Sequence, residues 1–91
     1  MERIIAVARG RVQGVGYRSF IAECGHAMGV HGFVQNLPDG TVRIVAESSP
    51  AALDDFIRLA HAKNDPIIRV LEITVKKEPA TGEFHGFRVA W

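Results

Sequence analysis

Apolar and polar residues follow one another in patterns that predict five strands in this chain. A nearly continuous apolar run at 4–8, ending close to Gly10, is typical of a buried central strand. The other strands show shorter or alternating patterns, and Pro38, Asp39 and Gly40 have the chemistry of a hairpin turn between two of them. The predicted strands comprise residues 4–8, 33–36, 42–47, 71–76 and 87–91.

Two helices are predicted between these strands, and each has one apolar face. The first helix ends at Gly29, a residue that commonly terminates helices. The second begins with Ser49 as its N-cap and Pro50 in the first helical position, and it ends before Pro66. The apolar faces are formed by Phe20, Ile21, Cys24, Ala27 and Met28 in the first helix, and by Leu53, Phe56, Ile57 and Ala60 in the second.

The element order β-α-β-β-α-β, with an additional short C-terminal strand, indicates an α+β fold. This is the order of the ferredoxin-like split βαβ sandwich, in which two helices cover one face of an antiparallel sheet. A right-handed first crossover makes the first two strands parallel, with one strand between them. Their C-terminal ends then lie about 10 Å apart, because neighbouring strands are about 4.8 Å apart. We therefore expect Asn36, at the end of the second strand, to face the loop that follows the first strand.

The composition is that of an ordinary globular domain. The 91 residues are 47% apolar and 23% charged, which favours one domain spanning residues 1–91. The net charge of +1, with acids and bases interspersed, gives no basic face for nucleic acid. A single cysteine excludes an internal disulfide, and we find neither a signal-peptide pattern nor an apolar segment of about 18 residues. We expect a cytoplasmic monomer that binds neither nucleic acid nor membrane.

The loop after the first strand leads into a helix that lacks a cap. No Ser, Thr, Asp or Asn precedes Tyr17, and the first turn carries Arg18 rather than an acid. Backbone N–H groups at a helix start need partners, and glycines at 10, 14 and 16 permit a backbone whose N–H groups converge on an anion. The residues alone leave two interpretations open. The loop is either a flexible turn beside a solvated arginine or a phosphate site closed by the Arg18 guanidinium.

Known nucleotide-binding motifs do not account for this loop. The stretch GVGYRS lacks the third glycine of the dinucleotide motif, because Ser19 stands in its place. The Walker A motif requires a lysine and then Ser or Thr after its last glycine, whereas Tyr17 follows Gly16. Both classes of nucleotide site are therefore excluded.

The other reactive side chains are better explained by structural roles. Cys24 lies on the apolar face of the first helix, and His26, two residues later, points away from it. The remaining histidines lack the spacing of metal ligands; they are His31, His61 and His85. We therefore expect no metal and no cofactor.

Two segments of the chain resemble the signature motifs of the acylphosphatase family. The stretch GRVQGVGYR at 10–18 is similar to the family pattern Gly-x-Val-Gln-Gly-Val-x-Phe-Arg. The stretch GFVQNLPDGTV at 32–42 is similar to Gly-aromatic-Val-x-Asn followed, after three residues, by Gly-x-Val. The resemblance covers the whole chain, including the closing GFRV. It departs from the family at Tyr17, where phenylalanine is usual, and at Ser48, where glycine is usual.

The resemblance implies hydrolysis of a small-molecule acyl phosphate to a carboxylate and inorganic phosphate. It further implies that Arg18 and the backbone of the preceding loop bind the phosphoryl group, while Asn36 positions the attacking water. The loop residues concerned are Arg11, Val12, Gln13, Gly14, Val15, Gly16 and Tyr17. The carboxylate that leaves has a conjugate acid of pKa about 4, so the reaction needs no general acid at neutral pH.

Two binding functions are alternatives to catalysis. Domains with the same element order bind RNA by stacking bases on aromatic residues of their first and third strands, but the stretches IIAVAR and VRIVAE contain no aromatic residue. A small-anion or ligand-binding module of ferredoxin-like fold would use the loop without turnover. The combination of Arg18 and Asn36 favours catalysis, and phosphate release from an acyl phosphate distinguishes the two functions.

Overall fold

The computed structural model describes residues 1–90, so Trp91, which the sequence places in the last strand, lies outside the described residues. The helices and strands follow the predicted order. Their bounds are β1 Glu2–Arg11, α1 Tyr17–Met28, β2 His31–Asn36, β3 Val42–Ser48, α2 Pro50–Ala60, β4 Arg69–Pro79 and β5 Phe87–Ala90. Strands β1 and β4 are longer than their apolar patterns predict, because they pair with each other from end to end.

The sheet has the strand order β4-β1-β3-β2-β5. Strand β3 pairs antiparallel with both β1 and β2, so β1 and β2 are parallel with one strand between them, as predicted. Strand β4 extends this antiparallel arrangement beyond β1. Strand β5, however, joins the outer edge of β2 in the parallel direction. The sheet is therefore mixed rather than wholly antiparallel, while its first four strands keep the ferredoxin-like arrangement.

Both helices pack on one face of the sheet and share a single core cluster with it. Ala6 of β1, Ile44 of β3, Ile21 of α1 and Phe56 of α2 are all completely buried in this cluster. Burial of an Ile or Phe side chain contributes about 1.5–3 kcal/mol to the free energy of folding. This core fixes the relative positions of the strand ends and helix ends that form the site described below.

The segment 80–86 leads from β4 across the sheet to β5 and is held by Glu47. Glu47 is 1% exposed, and its carboxylate accepts hydrogen bonds of 2.9 Å from the backbone N–H groups of Thr81 and Gly82. The Arg3 guanidinium lies 3.7 Å from the same carboxylate. The rings of Phe33 and Phe84 meet edge to face with centroids 5.8 Å apart. These contacts lead the chain to the edge of β2, where β5 pairs.

Candidate active site

The loop between β1 and α1, residues 12–16, owes its shape to two glycines. Gly14 and Gly16 have φ angles of 74° and 82°, in the left-handed region that glycine adopts without strain. A Cβ atom added to either glycine would meet no atom of residues 1–90 within 4 Å. Glycine is therefore required here by the backbone conformation, and not by a close contact with another part of the protein.

Gly10 does not belong to this loop, although the sequence groups it with the other two glycines. It lies inside β1, at a shift in the pairing register between Arg9 and Gly10. A Cβ atom there would collide with the backbone carbonyl of Arg69 on β4. The close approach of two strands explains Gly10, and Arg11 is the last residue of β1 rather than the first of the loop.

The N-terminus of α1 lacks a side-chain cap, as the sequence predicts. Its N-cap residue is Gly16, no side chain of residues 1–90 caps it, and the first turn contains no acid. The N-terminus of α2 is different, because the Ser49 hydroxyl accepts a hydrogen bond of 3.3 Å from the Ala52 N–H. The first backbone N–H groups of a helix have no partner within the helix and carry its positive partial charge. The α1 N-terminus is therefore suited to an anion.

Gln13 connects the loop to the turn that follows β2. Its side-chain amide nitrogen donates hydrogen bonds of 2.8 Å to the Leu37 carbonyl and 2.9 Å to the Thr41 carbonyl. Leu37 follows Asn36 directly, so these bonds hold the loop beside the end of β2. The structure thereby confirms the expected proximity of the loop and the end of the second strand. The sequence gives Gln13 only a backbone role, and its bridging side chain was not predicted.

Asn36 supplies a buried acceptor at this edge of the sheet. It is the last residue of β2 and lies opposite Val42 of β3. Its side-chain oxygen Oδ1 is buried and has no hydrogen-bond partner within residues 1–90. Buried polar atoms are almost always hydrogen-bonded to protein or water, so an acceptor of this kind suits a position where a bound molecule donates the bond.

Arg18 lies in the first turn of α1 and contacts β5. Its guanidinium Nη1 donates a hydrogen bond of 3.4 Å to the Ala90 carbonyl. Ala90 pairs with Gln35, the residue before Asn36. The bond therefore orients the guanidinium towards the part of the sheet that carries Asn36. The sequence predicts strand β5 but not its position beside β2. That position brings Ala90 within reach of Arg18.

The two ends of the loop are anchored in the core. Val12, which opens the loop, and Tyr17, which begins α1, are each 1% exposed, and Val15 packs partly against the core between them. The Tyr17 hydroxyl donates a hydrogen bond of 2.7 Å to the Ala60 carbonyl. Burial raises the pKa of this phenol, and the nearby Cys24 raises it further. The loop thus lies between two fixed points, and its conformation is constrained.

The residues that the sequence assigns to structural roles have structural contacts. His26 donates through Nε2 to the Phe87 carbonyl at 2.7 Å, and His31 accepts through Nδ1 from the Gly86 N–H at 2.7 Å. The Cys24 thiol packs against the core, and burial raises its pKa. Within residues 1–90, no three His, Cys, Asp or Glu residues are grouped so that they could hold a metal ion. No helix in the same residues is long and apolar enough to cross a membrane.

Comparison with known proteins finds acylphosphatases both by sequence and by structure. The family model described as Acylphosphatase matches residues 4–89. The chain is 44% identical over 91 residues to the acylphosphatase of Thermococcus kodakarensis, with 98% of each chain covered. It is 41% identical over 88 residues to that of Rubrobacter xylanophilus, with 97% of this chain and 79% of that one covered. The crystal structure of acylphosphatase from Bacillus subtilis is similar over 100% of both chains, with 31% identity and a TM-score of 0.94.

Proposed function

The chain belongs to the acylphosphatase family, and on that premise we propose which of its groups carry the reaction. The protein is a hydrolase that converts acyl phosphates to a carboxylate and inorganic phosphate. The backbone of residues 11–17 and the Arg18 guanidinium hold the phosphoryl group. Asn36 positions the water that attacks phosphorus. The observation that carries this assignment is the uncapped N-terminus of α1 at Gly16.

The phosphoryl group fits the N-terminus of α1 for electrostatic reasons. Phosphoryl transfer demands mainly positioning and stabilisation of charge on the equatorial oxygens. Backbone N–H groups around Gly14 and Gly16, together with the helix dipole, provide donors that need no reorganisation during the reaction. The guanidinium of Arg18 adds a permanent positive charge and a planar pair of donors that match two phosphate oxygens. One of its nitrogens, Nη1, lies 3.4 Å from the Ala90 carbonyl, which brings the guanidinium close to β5.

Asn36 orients the nucleophile and does not deprotonate it. A carboxamide does not act as a base near neutral pH, but its oxygen accepts and its nitrogen donates hydrogen bonds. The buried Oδ1 is available to accept one O–H of the attacking water. As the water oxygen bonds to phosphorus, the bond between phosphorus and the carboxylate oxygen breaks. The second water proton passes to a phosphoryl oxygen, so the products are the carboxylate and inorganic phosphate.

We also propose the domain organisation, oligomeric state and cellular location of the enzyme. It is a single domain of residues 1–91 that works as a monomer in the cytoplasm, on a small molecule and without nucleic acid. What supports this is the single core cluster, the match of the family model to residues 4–89, and the lone free thiol of Cys24.

The test is release of inorganic phosphate from benzoyl phosphate and acetyl phosphate, compared with the spontaneous rate. We expect turnover by the purified chain, competitive inhibition by inorganic phosphate, and no effect of a chelator. A non-catalytic anion-binding module of the same fold would bind phosphate without accelerating hydrolysis. That result would contradict the assignment of these groups to catalysis.

A further inference from the structure

The side chain of Gln13 connects two parts of the candidate site that come from different segments of the chain. Its amide nitrogen donates one hydrogen bond of 2.8 Å to the Leu37 carbonyl and another of 2.9 Å to the Thr41 carbonyl. A carboxamide nitrogen carries two hydrogens, so both of its donors are used. In the described part of the chain, no backbone hydrogen bond joins the loop of residues 12–16 to the turn of residues 37–41. Gln13 therefore provides the hydrogen-bonded link between the loop and the turn.

The turn does not need Gln13 for its own closure. The Leu37 N–H donates a hydrogen bond of 2.9 Å to the Thr41 carbonyl, and the Gly40 N–H donates one of 3.1 Å to the Leu37 carbonyl. The carboxylate of Asp39 accepts further bonds from the N–H and the hydroxyl of Thr41, at 3.0 and 2.6 Å. Both carbonyls that Gln13 contacts therefore keep a backbone donor when the glutamine side chain is removed. The two bonds of Gln13 are a crosslink between loop and turn, and not a part of the turn.

The loop likewise takes its own shape from other residues. Both of its ends are anchored in the core, and Gly14 and Gly16 supply its left-handed backbone angles. The side chain of Gln13 instead fixes the position of the loop relative to the end of β2. Its bond to Leu37 reaches the residue that directly follows Asn36. The separation between the loop amides and the Asn36 side-chain oxygen therefore depends on this crosslink.

We propose that Gln13 is a positioning residue for hydrolysis, which holds the loop at the distance from Asn36 that in-line attack by water requires. This inference rests on the proposed function, because it takes the loop as the phosphoryl site and Asn36 as the group that orients water. Phosphoryl transfer requires the attacking oxygen, the phosphorus and the leaving oxygen to lie nearly in line. Since the side chain of Gln13 shapes neither the loop nor the turn by itself, its loss should lower kcat and leave phosphate affinity nearly intact.

Two replacements of Gln13 remove the crosslink to different extents. Gln13→Met keeps an unbranched side chain but has no donor. Gln13→Asn keeps the amide on a side chain one methylene shorter, which does not reach both carbonyls from the same backbone position. The measured quantities are kcat for benzoyl phosphate, the inhibition constant of inorganic phosphate and the midpoint of urea denaturation. Asp39→Ala is the matched control, because it removes two hydrogen bonds from the same turn without removing the crosslink.

We expect Gln13→Met to lower kcat by about 10- to 100-fold, because misplacement by about 1 Å costs about 100-fold in rate. Gln13→Asn should lower kcat by less. The inhibition constant of phosphate should change by less than about threefold in both variants, and kcat of Asp39→Ala should change by less than about threefold. A fall in kcat that follows the urea midpoint alone, equal in Asp39→Ala and Gln13→Met, would overturn the positioning role.

The coupling between Gln13 and Asn36 separates positioning from a general structural role. Asn36→Ala alone should lower kcat by about 100-fold. Added to Gln13→Met, it should lower kcat by less than about tenfold, because the attacking water is already misplaced. Added to Asp39→Ala, it should keep its full effect. Equal effects of Asn36→Ala in Gln13→Met and in the unaltered protein would contradict the inference. If Gln13→Met does not fold, Gln13→Asn takes its place in the same comparison.

Failure of the proposed function and failure of the positioning role give different results. Absence of hydrolysis in the unaltered protein would overturn the proposed function and the positioning role with it. Hydrolysis of benzoyl phosphate that neither Gln13→Met nor Gln13→Asn slows would overturn the positioning role alone. A parallel loss of kcat and phosphate affinity in both variants would show that Gln13 shapes the loop itself, which also overturns the positioning role.

Discussion

The hydroxyl of Tyr17 donates a hydrogen bond of 2.7 Å to the carbonyl of Ala60, and so connects the first residue of α1 to the last residue of α2. The last carbonyls of a helix lack partners within the helix. The Tyr17 hydroxyl satisfies one of these at a buried position. Because Tyr17 directly follows the loop of residues 12–16, the bond connects the stability of the fold to the shape of the candidate site. The phenylalanine usual in the family at this position cannot make it.

Replacing Tyr17→Phe should lower stability while leaving most activity. The ring keeps its packing, but the buried Ala60 carbonyl loses its donor, which costs about 1–3 kcal/mol in the free energy of unfolding. Urea denaturation measures the loss, and kcat/KM for benzoyl phosphate should change by less than about threefold. Tyr17→Ala is the comparison, because it removes the ring as well and should cost about 3–5 kcal/mol. Equal stability of the Phe variant and the unaltered protein would show that the bond contributes nothing.

The same phenol should affect stability at high pH. Burial first, and Cys24 second, raise the pKa of Tyr17 above its ordinary value of 10.0. The folded state therefore retains this proton at a pH where the unfolded state has lost it, and stability falls as the pH rises above about 10. Thermal unfolding between pH 8 and pH 11 should show a smaller decline for Tyr17→Phe than for the unaltered protein. Parallel declines would mean that Tyr17 ionises equally in both states.

Replacing Arg18→Ala should remove both catalysis and phosphate binding. Each charge-assisted hydrogen bond contributes about 1.5–3 kcal/mol, and a guanidinium that makes two of them accounts for a loss of at least about 100-fold in kcat/KM. Inhibition by inorganic phosphate should weaken in parallel. Arg58→Ala is the matched control, because Arg58 is a helical arginine whose ion pair with Asp55 lies on the surface. Comparable losses of kcat/KM in the two variants would show a general effect of removing positive charge and would contradict a specific role of Arg18.

Replacing Asn36→Ala should separate turnover from binding. We expect kcat to fall by about 100-fold or more, because a group that positions the reacting water is lost. Inhibition by phosphate should persist, since the proposed role of Asn36 is to position water and not to hold the phosphoryl group. The free energy of unfolding should not decrease by more than about 0.5 kcal/mol, because the buried Oδ1 has no hydrogen bond within residues 1–90 to lose. A loss of phosphate affinity equal to that of Arg18→Ala would contradict the proposed division of roles.

Glu47 should make the fold sensitive to acid. Burial alone would raise the pKa of this carboxyl, but hydrogen bonds from Thr81 and Gly82, together with the Arg3 charge, outweigh it and lower the pKa. The stabilisation is therefore present above the ordinary value of 4.5 and is lost as the pH falls through the lower value of the folded state. The free energy of unfolding, measured from pH 7 to pH 3, should decline less steeply for Glu47→Gln. That variant should already be destabilised at pH 7.

Local patterns in the sequence were sufficient to predict most of the fold. The Ser49 cap of α2, the end of α1 at Gly29 and the missing cap before Tyr17 are all confirmed, because each depends on residues adjacent in the chain. The proximity of the loop to the end of β2 followed from the handedness of one crossover. These are properties that local chemistry and general topology determine.

The features that were missed depend on contacts between distant residues. Glu47 occupies a polar position in an alternating strand, which normally indicates exposure, yet the segment 80–86 covers it. The parallel pairing of β5 with β2 depends on that same segment. Gly10 was grouped with the loop because the sequence alone does not distinguish a glycine required by a neighbouring strand from a glycine required by a turn. The residues alone do not reveal such partners.

Titration of the protein with inorganic phosphate, followed through the backbone amide resonances in NMR, shows directly whether the N-terminus of α1 binds the phosphoryl group. We expect saturable shifts of the amides of residues 12–18, which disappear in Arg18→Ala, while the amides at the capped start of α2 near Ala52 stay unchanged. Shifts spread over the surface without saturation, or a loop whose amides do not respond, would show that the uncapped N-terminus of α1 does not bind the phosphoryl group.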